Sequence, residues 1–423
     1  MSETIVKDIL GNVSFINMGQ SPDSIYYNEE GNGMPLIQGN ADIKERKSIK
    51  RFYTSQITKV CDEGDILMTV RAPVGYVGVA SFQSCVGRGV CSIKTNGVDS
   101  KYLFYLLIQN EDKWKAFEAG TTFSAVTSKE VYNFPLLLTK SKNEQQQIAK
   151  FLSTCDAVIE KTQSAIAKYK AIKQGMLHDL FTRGIDLQTG KLRPCYVEAP
   201  ELYKESKLGW IPKEWDEKVF GKEVDLIHGH QFRDYDFTEF GIPVVKIGQV
   251  KPENVDLSGC SFVAYGREEE FQNEIIRNGD VLMALTGATL GKACLVKGLN
   301  GIVLQNYRVG RFEPIIKEND INKEFLYYLL IAGDLLTQIF NKVNTGAQGN
   351  IGKADFEKAT FKKPPFEEQN RIAERLIVID NKLQTEQTYL QKMQQLKKGL
   401  MEDLLSGRKK VIINEPQLYE QQG

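Results

Sequence analysis

Histidine is scarce in these 423 residues, three in all, and the scarcity narrows the chemistry. Two of the three stand together in His228-Gly229-His230 with no acidic or thiol partner in register, so they read as loop residues in preference to metal ligands. The seven cysteines, Cys61, Cys85, Cys91, Cys155, Cys195, Cys260 and Cys294, are odd in number, scattered and without a CxxC pair. That excludes a zinc ribbon or disulfide framework and predicts buried, reduced thiols. No apolar run approaches the roughly 18 residues of a membrane span. The N-terminal MSETIVKDIL has no basic stretch followed by an apolar one, so a cytoplasmic location without membrane attachment is expected. Net charge is also absent, with 54 Lys and Arg against 54 Asp and Glu, and any polyanion must therefore be met by local patches.

Familiar catalytic signatures fail one by one. Thr286-Gly287-Ala288-Thr289-Leu290-Gly291-Lys292-Ala293 resembles a phosphate loop but is one residue short and lacks the Ser or Thr that holds magnesium; a tight turn is expected. Asp23 with Glu45-Arg46-Lys47 resembles the carboxylate and lysine pattern of metal-dependent nucleases, yet the pattern is short and has no second copy. No Ser/His/Asp set can be assembled. The reading is a chain with no catalytic residues, no metal and no cofactor of its own.

What is present is ordinary globular composition, 42% hydrophobic and 26% charged, in a length suited to two to four domains. It is also written twice. Glu144-Gln145-Gln146-Gln147-Ile148-Ala149 returns as Glu368-Gln369-Asn370-Arg371-Ile372-Ala373, a shift of 224 that holds without a gap through Asp156 and Asp380, Lys173 and Lys397, and Gly175 and Gly399. Looser repeats flank it: Gly64-Asp65-Ile66-Leu67-Met68 with Gly279-Asp280-Val281-Leu282-Met283, and Tyr102–Leu107 with Phe325–Leu330. Gly11 through Gly19 likewise resembles Gly221 through Gly229.

Each half is thus a globular unit (1–143 and 209–366) followed by a long helix (144–184 and 367–408), with a spacer at 185–208 and a polar tail at 409–423. In the first helix Ile148, Leu152, Ile159 and Ile166 recur at helical spacing along a narrow seam that continues through Ile172, and Ile372, Leu376, Leu383 and Leu390, continuing to Leu396, do so in the second. Such a seam suits two helices packing along their length as a coiled coil. A core helix in each half is the alternative, but core helices drift in register and these do not. The globular units alternate short Val-, Ile- and Tyr-rich strands with Gly turns and add one helix each, at about 100–118 and 323–340. That is an α+β pattern.

Polar turns recur in corresponding places of both halves. Met18-Gly19-Gln20-Ser21-Pro22 matches His228-Gly229-His230-Gln231-Phe232-Arg233, and Arg71-Ala72-Pro73-Val74-Gly75 matches Thr286-Gly287-Ala288-Thr289. Gln and Arg suit the edges of adenine and guanine. Lys44 to Arg51 carries five basic residues and suits phosphates, although a solvated face fits it too.

In this order, MGQSP, GDILMTVRAPVG, EQQQIAKFLSTCDAVI, LGWIPKEW, HGHQF, GDVLMALTGATLGK, TGAQGNIG and EEQNRIAERLIVIDNKL, the chain resembles the DNA-specificity subunit of type I restriction-modification systems over nearly its whole length. The resemblance implies two target-recognition domains that each read half of a split DNA sequence, held apart by two antiparallel helices in a pseudo-two-fold arrangement. It implies as partners double-stranded DNA, two methyltransferase subunits bound through the helices, and restriction subunits with motor and nuclease activity. Methylation, ATP hydrolysis and cleavage would belong to those partners. By matching position, the DNA-contacting residues expected are Gln20, Ser21, Arg71, Arg88 and Thr122 in the first unit, and His230, Gln231, Arg233, Thr286, Arg308 and Gln348 in the second. Two other readings compete: a free-standing DNA-binding regulator, and a nuclease built on Asp23, Glu45 and Lys47.

Overall fold

The computed structural model describes residues 5–118, 125–316, 318–341 and 349–411. Two compact units emerge, each assembled from separated stretches of chain: Met1–Gln163 with Thr388–Gly423, and Ser164–Gln387.

The first unit is built around two sheets. A six-stranded sheet runs in the order Ser14–Met18, Val90–Thr95, Ile66–Thr69, Val77–Val79, Lys47–Ser48, Ile43–Lys44, and a five-stranded sheet in the order Tyr27–Asn28, Phe52–Thr54, Met34–Ile37, Ser84–Val86, Val60–Cys61. Ile66–Thr69 is buried at all four positions, which is why Ile66-Leu67-Met68 is an unbroken apolar run in place of an alternating one, and the buried Thr69 hydroxyl donates to the Pro73 carbonyl (2.6 Å). A separate ribbon pairs Ile5–Ile9 with Pro135–Thr139.

The second unit repeats the plan with shorter sheets. Val224–His228, Val309–Pro314, Val281–Ala284 and Ala293–Leu295 form one four-stranded sheet; Phe237–Thr238, Ser261–Val263, Ile242–Val245 and Leu304–Gln305 form the other. Asp216–Val219 pairs with Thr360–Lys363 as the counterpart ribbon.

Where one helix per unit is expected, two short ones stand. Ser100–Gln109 is followed by Glu111–Glu118, and Lys323–Ile331 by Asp334–Phe340. Helical periodicity continues across the break, which hides it, but Asn110 caps the end of Ser100–Gln109 and Gly333 takes φ +95°, a conformation that ends a helix.

The long helices are α1, Lys142–Thr182, and α2, Phe366–Leu405. Both stop ahead of a glycine with positive φ, Gly184 at +65° and Gly407 at +69°. Within the first unit Ile148, Ala149 and Leu152 from the start of α1 share a core with Met401, Leu404 and Leu405 from the end of α2. Within the second unit Leu180 and Phe181 from the end of α1 meet Ile372, Ala373 and Leu376 from the start of α2. The pairing is antiparallel in each. Ile148, Leu152, Ile166, Ile372, Leu376 and Leu383 are buried, and Ile159 and Leu390 are half-buried. Ile172 and Leu396, one shift of 224 apart, depart from the expected seam: they are 39% and 49% exposed, on the faces turned away from the packing.

The repeated Gln explains why the helix motif begins as it does. Gln145 and Gln369, both buried, accept from the backbone N–H of Asp99 (2.8 Å) and Asn322 (3.0 Å). Those two residues cap the helices Ser100–Gln109 and Lys323–Ile331 with their own side chains. The long helix is thereby fastened to the domain it follows.

Residues 185–208, read as a spacer, are folded into the second unit. Tyr203–Ser206 forms a hairpin with Gly209–Pro212, and Arg193 makes a buried two-pronged pair with Glu368, which also accepts from the Trp215 indole (3.0 Å) and the Ile185 N–H (2.7 Å). Burial opposes the charge on Arg193, but Glu368 outweighs it and holds the guanidinium above its ordinary value. The anchoring partners lie far apart in sequence, so local composition gives no sign of them. All seven cysteines are free thiols; Cys195 in this segment is half-buried and the other six are buried.

Candidate nucleic-acid interface

In the first unit the turn after Ser14–Met18 is laid against the turn before Val90–Thr95. Gly19 N–H donates to Val90 O (3.0 Å), Gln20 N–H to Val86 O (2.8 Å), and Arg88 N–H to the Ser21 hydroxyl (3.1 Å). Gly19 is required by space: a Cβ there would collide with the Gly87 carbonyl. The strand Ile66–Thr69 delivers Arg71 alongside, through Val70 N–H to Gly89 O (2.9 Å).

The result is a cleft of about 470 Å³ lined by Ser21, Ser24, Tyr27, Gln38, Arg71 and Arg88, with no carboxylate among its walls. Among the described residues, neither Arg71 nor Arg88 has a side-chain ion pair or hydrogen bond, and both are exposed. The cleft therefore presents uncompensated positive charge beside Gln and Ser groups that both donate and accept.

The second unit rebuilds the frame. His230 N–H donates to Gln305 O (3.2 Å) and Leu285 N–H to Arg308 O (3.0 Å), and a Cβ on Gly229 would collide with the Gln305 carbonyl. Thr286 bridges to Asn350 as Arg71 does to Ala125. On this common frame Gln20 corresponds to His230, Ser21 to Gln231, Arg71 to Thr286 and Arg88 to Tyr307. The backbone is shared and the side chains are not.

Of the expected residues, the structure gathers Ser21, Arg71 and Arg88 in one cleft, with exposed Gln20 at the same turn. In the second unit His230 packs edge-on to Phe232 and Phe271 (4.9 and 5.1 Å), Gln231 and Arg233 are exposed, and Thr286 is half-buried. Arg308 is exposed, with Nε donating to the Tyr307 hydroxyl (2.7 Å). Thr122 and Gln348 lie outside the described residues.

Gln38, Tyr27 and Ser24 were not anticipated. The signal for Gln38 was available: it follows the strand Met34–Ile37 as Lys246 follows Ile242–Val245. Lys246 donates to the Ser261 hydroxyl (2.7 Å) and lies over the Phe237 ring (4.1 Å).

The basic run Lys44 to Arg51 is a different matter. Arg46 pairs with Glu111, Lys47 with Glu160 on α1 (3.2 Å) and Arg51 with Asp42 (3.2 Å). Three of its five charges are matched within the protein, which weakens it as a phosphate edge and also engages Lys47 of the nuclease-like pattern. His228 hydrogen-bonds the Tyr307 carbonyl (3.2 Å), and the described residues contain no cluster of three or more His, Cys, Asp or Glu arranged to hold a metal. Among the described residues no helix is long and apolar enough to cross a membrane.

A duplicated α+β domain, each copy followed by a repeated long helix and the first carrying a cationic, hydrogen-bonding cleft, defines a recognition module. Its family follows from comparison. The model of the type I restriction modification DNA specificity domain matches residues 6–168 and again 223–395, and the chain belongs to that family, as a specificity subunit with two target-recognition domains. The chain is 29% identical over 321 residues to the type I restriction enzyme MjaVIII specificity subunit of Methanocaldococcus jannaschii, covering 75% of this chain and 72% of that one. It is 24% identical over 379 residues to the MjaIX specificity subunit of the same organism, covering 86% and 78%. The crystal structure of a type I restriction-modification S subunit from M. genitalium has the same fold, with a TM-score of 0.63 at 16% identity and 98% of each chain covered. None of these relatives supports a free-standing regulator.

Proposed function

We propose that this chain reads a bipartite DNA target, one half-site per globular unit, and supplies the address to methyltransferase and restriction subunits that carry the catalysis. The observation that carries the reading is the shared frame with exchanged side chains: Gly19 and Gly229 hold the same turn, while Arg71 is answered by Thr286 and Ser21 by Gln231. One scaffold reads two different sequences by changing only the groups it presents to base edges.

In the first unit Arg71 and Arg88 are assigned to guanine edges or phosphates, and Gln20 and Gln38 to adenine; Gln231, Arg233 and Arg308 serve in the second, with His230 and Thr286 beside them. Thr122 and Gln348 remain assigned by sequence position. Two linked units bind with the local concentration of a tethered pair, so each need be only moderately selective. The length of α1, 41 residues or about 60 Å, sets the number of unread base pairs, and its outward faces with those of α2 hold two methyltransferase subunits.

The test is a genome-wide map of methylated adenines in cells expressing this chain with its methyltransferase, against cells expressing the methyltransferase alone. A new motif of two short half-sites around a fixed gap is expected, and the gap should lengthen when one helical turn is inserted in both long helices. Association of the two proteins without any new motif would remove the reading.

A further inference from the structure

A short 3-10 turn follows the recognition turn in both units, and the middle residue of each projects a large apolar side chain into water, with Tyr26 beside it in the first unit 41% exposed. In the first unit the turn is Ser24–Tyr26 and the side chain is Ile25, 75% exposed; in the second it is Asp234–Asp236 and the side chain is Tyr235, 86% exposed. The two occupy the same place. Each lies five residues beyond the paired Gln20 and His230 and two before the next strand.

Both turns are braced. Tyr26 N–H donates to Asp23 O (3.1 Å) and the Asp23 carboxylate accepts from Ile25 N–H (3.3 Å). Asp236 N–H donates to Arg233 O (2.9 Å), and the Asp236 carboxylate accepts from Arg233 N–H (2.8 Å) and from Arg267 (3.3 Å). A single exposed apolar residue needs no explanation. Two of them, at matching positions of domains whose surrounding sequences have diverged, on turns stiffened by different bonds, are a shared feature. Ser24 and Tyr27, which flank the tip in the first unit, line the arginine cleft.

We propose that Ile25 and Tyr235 are wedges that enter the base stack of their half-sites. An apolar side chain on a rigid turn, beside groups that hold the backbone and base edges, is what opening a base step requires; the cost of unstacking is offset by burial of the side chain and by stacking. The inference rests on the DNA-reading function above, with double-stranded target DNA as the occupant.

The experiment uses the full chain in complex with its methyltransferase, on duplexes carrying the mapped target with 2-aminopurine placed in turn at each step of a half-site. Apart from the methylated adenine, which the methyltransferase flips out by itself, wild type should brighten one step in each half-site. Tyr235→Ala should abolish the signal in one half-site only and weaken binding about 5- to 150-fold, the range for losing one base-to-aromatic stack. Tyr235→Phe, which keeps the ring, should retain most of it, and Ile25→Ala should dim the other half-site. Val197→Ala, at an apolar residue 87% exposed in the joining segment, should leave both unchanged. Wild-type-like fluorescence in both Ala variants overturns the wedge while leaving DNA reading intact, because the wild type still methylates its motif. Loss of binding without brightening, reproduced by replacing thymine with uracil, would make the tips groove readers and also overturns it. Absence of any motif for the wild type removes both.

Discussion

Asp156 and Asp380, 224 residues apart in sequence, make the same two contacts. Asp156 accepts from the Tyr105 hydroxyl (2.7 Å) and pairs with Lys397 (2.5 Å); Asp380 accepts from the Tyr328 hydroxyl (2.8 Å) and pairs with Lys173 (2.6 Å). In each unit one carboxylate therefore ties three elements: a domain helix, one long helix and the other. The lysines also lie over the tyrosine rings, at 5.3 and 5.6 Å.

Breaking these ties should loosen each unit. Asp156→Asn and Asp380→Asn are expected to cost about 1 to 2 kcal/mol apiece, because a partly exposed ion pair contributes little and the bond to tyrosine contributes more. In urea unfolding, the cycle of Asp156→Asn with Lys397→Met should give a coupling of about 0.5 to 1 kcal/mol. Purely additive effects would mean that the pair does not join the helices.

The same tyrosines set an alkaline limit. Burial, and then the bond to the neighbouring aspartate, raise the Tyr105 phenol above its ordinary value near 10; burial and Asp380 do so for Tyr328, and burial pushes Tyr102 up to about 12. A raised folded-state value contributes stability that is complete below pH 10 and is lost as pH rises through the folded value. Thermal unfolding should therefore fall off between about pH 10 and 12. Tyr105→Phe with Tyr328→Phe should lower stability at pH 8 and flatten that decline; an unchanged slope would contradict it.

Thiol labelling reports burial directly. Burial pushes Cys61 up to about 11, and Cys91 and Cys294 up to about 12, so these thiols are both covered and protonated. At pH 8 the native chain should take up one maleimide, at Cys195, and the unfolded chain all seven. Rapid native labelling at Cys91 or Cys294, read by mass spectrometry, would show that the sheets open.

Glycines in the two settings should respond oppositely to alanine. At Gly19 and Gly229 a Cβ meets a carbonyl, and the substitution should cost about 1 to 3 kcal/mol and disturb target methylation. At Gly175 and Gly399 on the long helices a Cβ meets open space, and each should stabilise the isolated chain by about 0.5 to 1 kcal/mol. Calorimetry of the four variants checks the signs.

The repeat was readable because it is carried by residues with fixed tasks: Gln145 and Gln369 hold helix caps, Asp156 and Asp380 hold tyrosines, and Gly19 and Gly229 make room for carbonyls. The seam at Ile148 and Leu152 was legible from spacing alone, whereas Ile172 and Leu396 fit the spacing and still face solvent. Periodicity records which face of a helix a residue is on, but not whether anything covers it. The breaks at Asn110 and Gly333 were missed because apolar periodicity runs through them. The anchoring of residues 185–208 to the second unit was missed because Arg193 finds Glu368 across 175 positions. Gln38 reaches the cleft through parallel pairing of Met34–Ile37 with Ser84–Val86, and only its correspondence with Lys246 after Ile242–Val245 could have marked it, since the pairing itself is not written in the neighbouring residues.

The most direct measurement is a methylated-adenine map for the wild-type chain beside those for Arg71→Ala and Arg233→Ala, each expressed with its methyltransferase. Two half-sites should appear, with Arg71→Ala relaxing a position in one of them and Arg233→Ala a position in the other, each at a cost of about 1 to 3 kcal/mol in binding. A single contiguous motif, or relaxation of both half-sites by either variant, would contradict the division of the target between the two units.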